Sequence, residues 1–114
     1  MMWISQTTTD MKRHSSINVH PGSILKEDIL APARLSLGSA AELLQVSRLT
    51  LSKIVNQKGA ITPNMAIRIS KAFGGKADFW LRMQRKYDLR KAEQEFERND
   101  VQIEKFEMVQ AGNS

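Results

Sequence analysis

The stretch SLGSAAELLQVSRLTLSKIVNQK, Ser36 to Lys58, constrains the fold more than any other part of the chain. It holds two apolar stripes at helical spacing with only a few residues between them. Ser36 is placed to cap a first short helix that carries Ala40, Ala41, Leu43 and Leu44. Gln45, Val46 and Ser47 make a turn, and Ser47 can cap a second helix in which Leu51, Ile54 and Val55 recur at i, i+3 and i+4. Helices this short are marginal in water on their own. Both stripes must therefore be buried against neighbouring elements.

The rest of the chain supplies those neighbours. HPGSILKEDILAP predicts a helix with Pro21 in its first turn, Ile24, Leu25, Ile29 and Leu30 inside, and Pro32 as its stop. QKGAI reads as a loop pivoting on Gly59. In TPNMAIRISKAFGG, Thr62 caps and Pro63 opens a helix whose Met65, Ala66, Ile69, Ala72 and Phe73 face the core, and Gly74-Gly75 ends it. A last long helix begins near Ala77 with Phe79, Trp80, Met83, Tyr87, Leu89 and Ala92, and the Phe79–Trp80 pair reads as core. Beyond Glu93 a helical continuation through Phe96, Ile103, Phe106 and Val109 is the preferred reading. The alternation Val101–Ile103 also permits a short strand. The expectation is an all-α fold of five helices. Residues 1–18 would form a flexible, Ser/Thr-rich tail, 19–93 the folded domain and 94–114 an extension for dimer or partner contact.

Composition narrows the function. The chain of 114 residues contains no cysteine, so disulfides and thiolate metal sites are ruled out. His14 and His20 both lie near the start with no carboxylate cluster beside them, so neither a metal centre, a cofactor nor a catalytic constellation is expected. No apolar run approaches the roughly 20 residues of a membrane span. MMWISQTTTDMKRHSS has its basic pair after the apolar residues, unlike a secretory signal, and Met11 is an alternative start. A soluble, cytoplasmic, non-enzymatic protein is the expectation.

Charge is placed unevenly. From Ser47 to Lys76 there are six basic residues (Arg48, Lys53, Lys58, Arg68, Lys71 and Lys76) and no Asp or Glu; from Ala77 to Ser114 there are seven basic and eight acidic residues. A one-signed central block is the footprint of a nucleic-acid-binding surface. Two short helices joined by a tight turn within a bundle form a helix-turn-helix, whose second helix enters the major groove of duplex DNA. With Leu51, Ile54 and Val55 turned inward, Leu49, Ser52, Lys53 and Asn56 point outward, flanked by Arg48 and Thr50. Single-strand RNA readers use exposed aromatics, and this face has none.

The run from HPGSILKEDIL through VSR, IVN, ITP, MA.R and FG to FW…Q..YDL resembles the HigA or VapI-type antitoxins, within the Xre-like (lambda-repressor-like) helix-turn-helix proteins, over roughly residues 20–93. The resemblance implies a homodimeric antitoxin that represses its own operon at a near-palindromic operator and neutralises a co-encoded HigB toxin, an mRNA-cleaving protein of the RelE type. Four positions depart from the pattern. Gln45 and Gln57 stand where glycines are usual, so the backbone at Gln45 either avoids the left-handed region or holds it under strain. Gly38 falls inside the first motif helix, at a cost of about 1 kcal/mol relative to alanine. Lys76 stands where a Ser or Thr cap is usual, leaving Asp78 as a first-turn substitute.

On this reading Arg48, Leu49, Thr50, Ser52 and Lys53 read bases. Arg48 would pair with guanine O6 and N7, Lys53 with a guanine or a phosphate, and Leu49 and Thr50 with a thymine methyl. Ser36, Ser47, Asn56 and Lys58 would hold phosphates. Duller readings stand beside these: Arg48 as a solvated charge, Leu49 as a dimer contact, Asn56 as a helix end cap, and Arg68 and Lys71 as ordinary surface charges adding long-range attraction. A stand-alone regulator without a toxin, and a protein-neutralising module with weak DNA binding, are the alternative functions.

Overall fold

The computed structural model describes residues 18–107, and the described part is all helical with five helices. Helix α1 starts as an α-helix, Pro21–Ile24, and widens into a π-helical segment, Leu25–Leu30. It is followed by α2 (Leu37–Leu44), α3 (Arg48–Val55), α4 (Pro63–Phe73) and α5 (Ala77–Arg98). The π segment explains an oddity of the apolar pattern. Leu25 and Leu30, five residues apart, are both buried, whereas Ile24 and Ile29 are only partly so.

The amino-terminal caps fall where expected. Ser36, Ser47 and Thr62 each accept a hydrogen bond from the backbone N–H three residues on, at 3.1, 3.0 and 3.2 Å. Lys76 stands at the start of α5 without a side-chain cap; Asp78, in the first turn, pairs with Arg82 at 3.1 Å.

The end of α4 at Gly74-Gly75 falls where expected, and the other carboxyl-terminal stops share one form. Four helices close through one left-handed residue, and in none is it glycine: Arg34, Gln45, Gln57 and Asp100, with φ of 57, 55, 64 and 52°. At each, the left-handed residue's N–H bonds three residues back and the next N–H five residues back. For α2 these are Gln45 to Glu42 (3.1 Å) and Val46 to Ala41 (3.0 Å); for α3, Gln57 to Ile54 (3.0 Å) and Lys58 to Lys53 (2.7 Å). These are Schellman closures. The pivot after α3 is therefore Gln57, not Gly59, and α1 is closed by Arg34 as well as stopped near Pro32. Only α4 ends at glycines, Gly74 and Gly75, both with positive φ.

The core gathers Leu25 and Leu30 of α1, Ala40, Ala41 and Leu44 of α2, Leu51, Ile54 and Val55 of α3, and Met65, Ala66 and Ile69 of α4. Ile61 and Trp80 complete it. Three residues expected inside lie outside: Leu43 is 56% exposed, Ala72 is exposed, and Phe79 is 46% exposed while meeting Trp80 edge-on at 5.5 Å. In each case the neighbouring residue fills the inward position: Leu44, Phe73 and Trp80. Helix α5 runs unbroken past Glu93 to Arg98, and residues 101–107 are neither helix nor strand. Val109 and His14 lie outside the described residues.

Candidate nucleic-acid interface

The second motif helix, α3, is anchored from behind. Leu51, Ile54 and Val55 are buried, and the carbonyl of Ile54 lies against Gly22 of α1 so closely that a Cβ there would sit 1.9 Å from the oxygen. Glycine is the only residue that permits this approach of α1 to α3. His20 and Pro21 set up the contact. The buried His20 caps α1, its Nδ1 accepting from the Gly22 N–H at 2.9 Å, and its ring meets Tyr87 edge-on at 4.7 Å. Burial pushes the His20 imidazole below its ordinary value, and Lys91 adds to this; Asp88 and the Gly59 backbone oppose it. The histidine is a structural cap that the sequence did not reveal, and its Nδ1, an acceptor here, is unprotonated.

A second buried link comes from α5. Gln84 Oε1 accepts from the Ile61 N–H at 2.8 Å, and its Nε2 donates to Asp88 Oδ1 at 2.9 Å. Asn18 Nδ2 donates to the Tyr87 carbonyl at 2.9 Å. The motifs HPG and Q..YD thus meet in space, and they hold the loop after α3 against the bundle.

The front of α3 is open. Arg48, Thr50, Lys53, Asn56 and Lys58 are exposed, Leu49 is 64% exposed, and Ser52 is half-buried. Three of these groups are engaged locally. Asn56 Nδ2 donates to Ser52 Oγ at 3.2 Å, and the Ser47 hydroxyl donates to Thr50 Oγ1 at 2.8 Å. Ser36 does likewise with Ser39 Oγ at 3.0 Å, at the start of α2. Asn56 is the residue that ends α3, with φ −96°. The structure therefore brings Arg48, Leu49, Thr50, Ser52, Lys53, Asn56 and Lys58 together along one short helix and its exit. Ser36 stands apart, at the start of the other motif helix.

Arg68 departs from expectation. It is not an ordinary surface charge: from α4 its Nη1 donates to the carbonyls of Leu44 (2.9 Å) and Gln45 (3.0 Å), and its Nε to Asn64 Oδ1 (2.6 Å). Gln45, in turn, holds the left-handed conformation rather than avoiding it.

A protected pair of short helices, one presenting an acid-free polar face, defines a helix-turn-helix protein. The helix-turn-helix family model matches residues 25–80. The chain is 44% identical over 77 residues to virulence-associated protein I of Dichelobacter nodosus, covering 68% of this chain and 71% of that one. It is 33% identical over 79 residues to antitoxin HigA-1 of Vibrio cholerae, covering 69% and 74%. Among solved structures, Pseudomonas aeruginosa antitoxin HigA with the higBA promoter aligns with a TM-score of 0.72 at 32% identity, over 79% of this chain and 99% of that one. The chain belongs to the helix-turn-helix family, in the branch that holds virulence-associated protein I and the HigA antitoxins. These are DNA-binding, non-enzymatic proteins. Among the described residues no helix is long and apolar enough to cross a membrane.

Proposed function

We propose that this protein is a sequence-specific repressor of its own operon and the antitoxin of a HigB-like toxin, acting as a homodimer. One observation carries the reading: α3 is held rigidly by its buried face while Arg48, Leu49 and Lys53 stand free on the other, inside a stretch with no acidic residue. In the major groove such a helix points its amino end at the bases. Arg48, in the first turn, offers two parallel donors to guanine, and Lys53 adds a point charge one turn on. Leu49 and Thr50 supply apolar contact to a thymine methyl, and Ser52 a hydrogen bond. Asn56, Lys58 and the capped helix starts at Ser36 and Ser47 serve phosphates. The HigA structure with the higBA promoter supports the choice of duplex DNA and of an upstream site.

One motif reads only a few base pairs. Two copies on a near-palindrome, with recognition helices roughly 34–36 Å apart, supply the rest. The distal half of α5 suits self-association. Leu89, Phe96 and Val101 line a cleft of about 490 Å³ there, with Ile103 and Phe106 exposed beyond it.

The test is titration of the protein against a duplex from upstream of its gene and a scrambled duplex, at several salt concentrations. A preference of about 10³ or more, lost in Arg48→Ala and Lys53→Ala, is the expected outcome. Equal weak binding to both duplexes, declining together with salt, would leave protein neutralisation or a regulatory site elsewhere.

A further inference from the structure

We infer that Arg68, on α4 and not on the recognition helix, is a positioning residue for DNA reading: it locks the left-handed turn from which the recognition helix departs. The inference rests on the interface proposed above and extends it to a residue outside that face.

Gln45, at the end of α2, sits in the left-handed region. A non-glycine residue at φ 55° and ψ 47° is held there at a cost, and persists only where its surroundings over-determine it. The Schellman closure of α2 meets part of that cost through two backbone bonds. The remainder falls to the carbonyls at the end of α2, which carry the negative end of the helix dipole. The Arg68 guanidinium takes two of them at once, Leu44 O at 2.9 Å and Gln45 O at 3.0 Å. Asn64, one turn earlier on α4, accepts from Nε and fixes the plane of the guanidinium. The guanidinium thus makes three charge-assisted hydrogen bonds, two from Nη1 and one from Nε, and the shorter lysine, with one nitrogen, cannot span Asn64 and both carbonyls from this position.

The locked turn matters because only Val46 and Ser47 separate it from Arg48. Any rotation at Gln45 swings the amino end of α3, which carries Arg48 and Leu49. Meanwhile the carboxyl end stays pinned by Gly22 against Ile54. The recognition helix is thus held at two points, by α1 at its end and by α4 at its start.

The test uses Arg68→Ala, Arg68→Lys, and both combined with Gln45→Gly, which makes the left-handed turn easy without the clamp. Binding is measured on the upstream and scrambled duplexes, well below the unfolding temperature of each variant. The expected result is a preference reduced roughly tenfold in both Arg68 variants, the size of one lost base contact, and substantially restored by Gln45→Gly. A surface charge acting at long range would give the opposite pattern. Arg68→Lys would then match the wild type, Arg68→Ala would lower both affinities and the salt dependence together, and Gln45→Gly would rescue nothing; that pattern overturns the inference.

Hydrogen exchange read without DNA separates this inference from the proposed function. Faster exchange at the Val46 amide in both Arg68 variants, slowed again by Gln45→Gly, supports the clamp even if the wild type prefers neither duplex. Unchanged exchange there overturns it.

Discussion

Two stretches of this molecule behave differently. From His20 to Gln84 every helix buries a face, and the link after α3 is tied down by a buried polar contact between Ile61 and Gln84. From Lys91 to Glu107 every residue is exposed, although α5 continues unbroken to Arg98. The first region is a scaffold whose geometry fixes one outward helix. The second is an arm with unspent apolar surface at Phe96, Val101, Ile103 and Phe106, the arrangement expected of an element that meets another molecule. Changes in the scaffold should therefore act on stability, and changes in the arm on association.

The largest effect is expected at Gly22. Adding one methyl places it 1.9 Å from the Ile54 carbonyl oxygen, and backbone on both sides must move. Gly22→Ala should cost about 3 kcal/mol or more, above the usual range for an over-packed core because no side chain can yield. Urea unfolding measures it. A loss under about 1 kcal/mol would mean that α1 is not seated on α3 as described.

Gln84→Ala comes next. It leaves the N–H of the buried Ile61 without an acceptor, which costs about 1–3 kcal/mol. Gln84→Glu is the informative companion, because a carboxylate still accepts from Ile61 but cannot donate to Asp88 and faces it as a like charge. If Gln84→Ala is neutral, the loop after α3 is held by something else.

Much of this scaffold was legible in the sequence, and the failures have a common cause. Helix starts were legible because a cap is local: Ser36, Ser47 and Thr62 each act on a residue three positions on. The inward stripe of α3 was legible because periodicity alone sets it. Except at Gly74-Gly75, helix stops were not, because Arg34, Gln45 and Gln57 adopt left-handed conformations that their side chains do not favour and Asp100 adopts one in place of glycine. At Gln45 the support comes from Arg68, 23 residues away. Gln84 was missed for the same reason, its partner Ile61 being distant in sequence; the His20 cap on Gly22 is local, but the burial that makes the ring a structural element depends on Tyr87, far along the chain. The outward face of α3 was legible as a set of residues, but the local engagement of Ser52 by Asn56 was not.

His20 offers a smaller effect with a definite sign. Its folded imidazole is pushed down chiefly by burial, with Lys91 acting the same way and Asp88 and the Gly59 backbone opposing. The unfolded chain therefore binds the proton more readily than the folded one, and stability rises with pH. The contribution is complete above the ordinary value of 6.5 and is lost as pH falls below it toward the depressed folded value. Asparagine caps a helix without titrating. Urea midpoints between pH 7.5 and 5 should fall in the wild type and fall less in His20→Asn, the other histidine, His14, being common to both.

The smallest stability effect is expected in the arm, and it is the most telling. Phe96 is half exposed and lies on the cleft with Leu89 and Val101, edged by Glu93, Glu97 and Asp100. Within one chain, Phe96→Ser removes little buried contact, so the unfolding midpoint at low protein concentration should move by no more than about 0.5 kcal/mol. If the arm pairs with a second copy, the same substitution removes an aromatic anchor from a buried interface, where such residues carry much of the binding energy. Sedimentation should then show association weakened while the fold is untouched. The preference for the upstream duplex should fall as well, since a single motif cannot span two half-sites. A variant that unfolds more easily and associates as before would reverse the division between scaffold and arm. Phe96 would then belong to the folded core, and the dimer surface would have to be sought elsewhere.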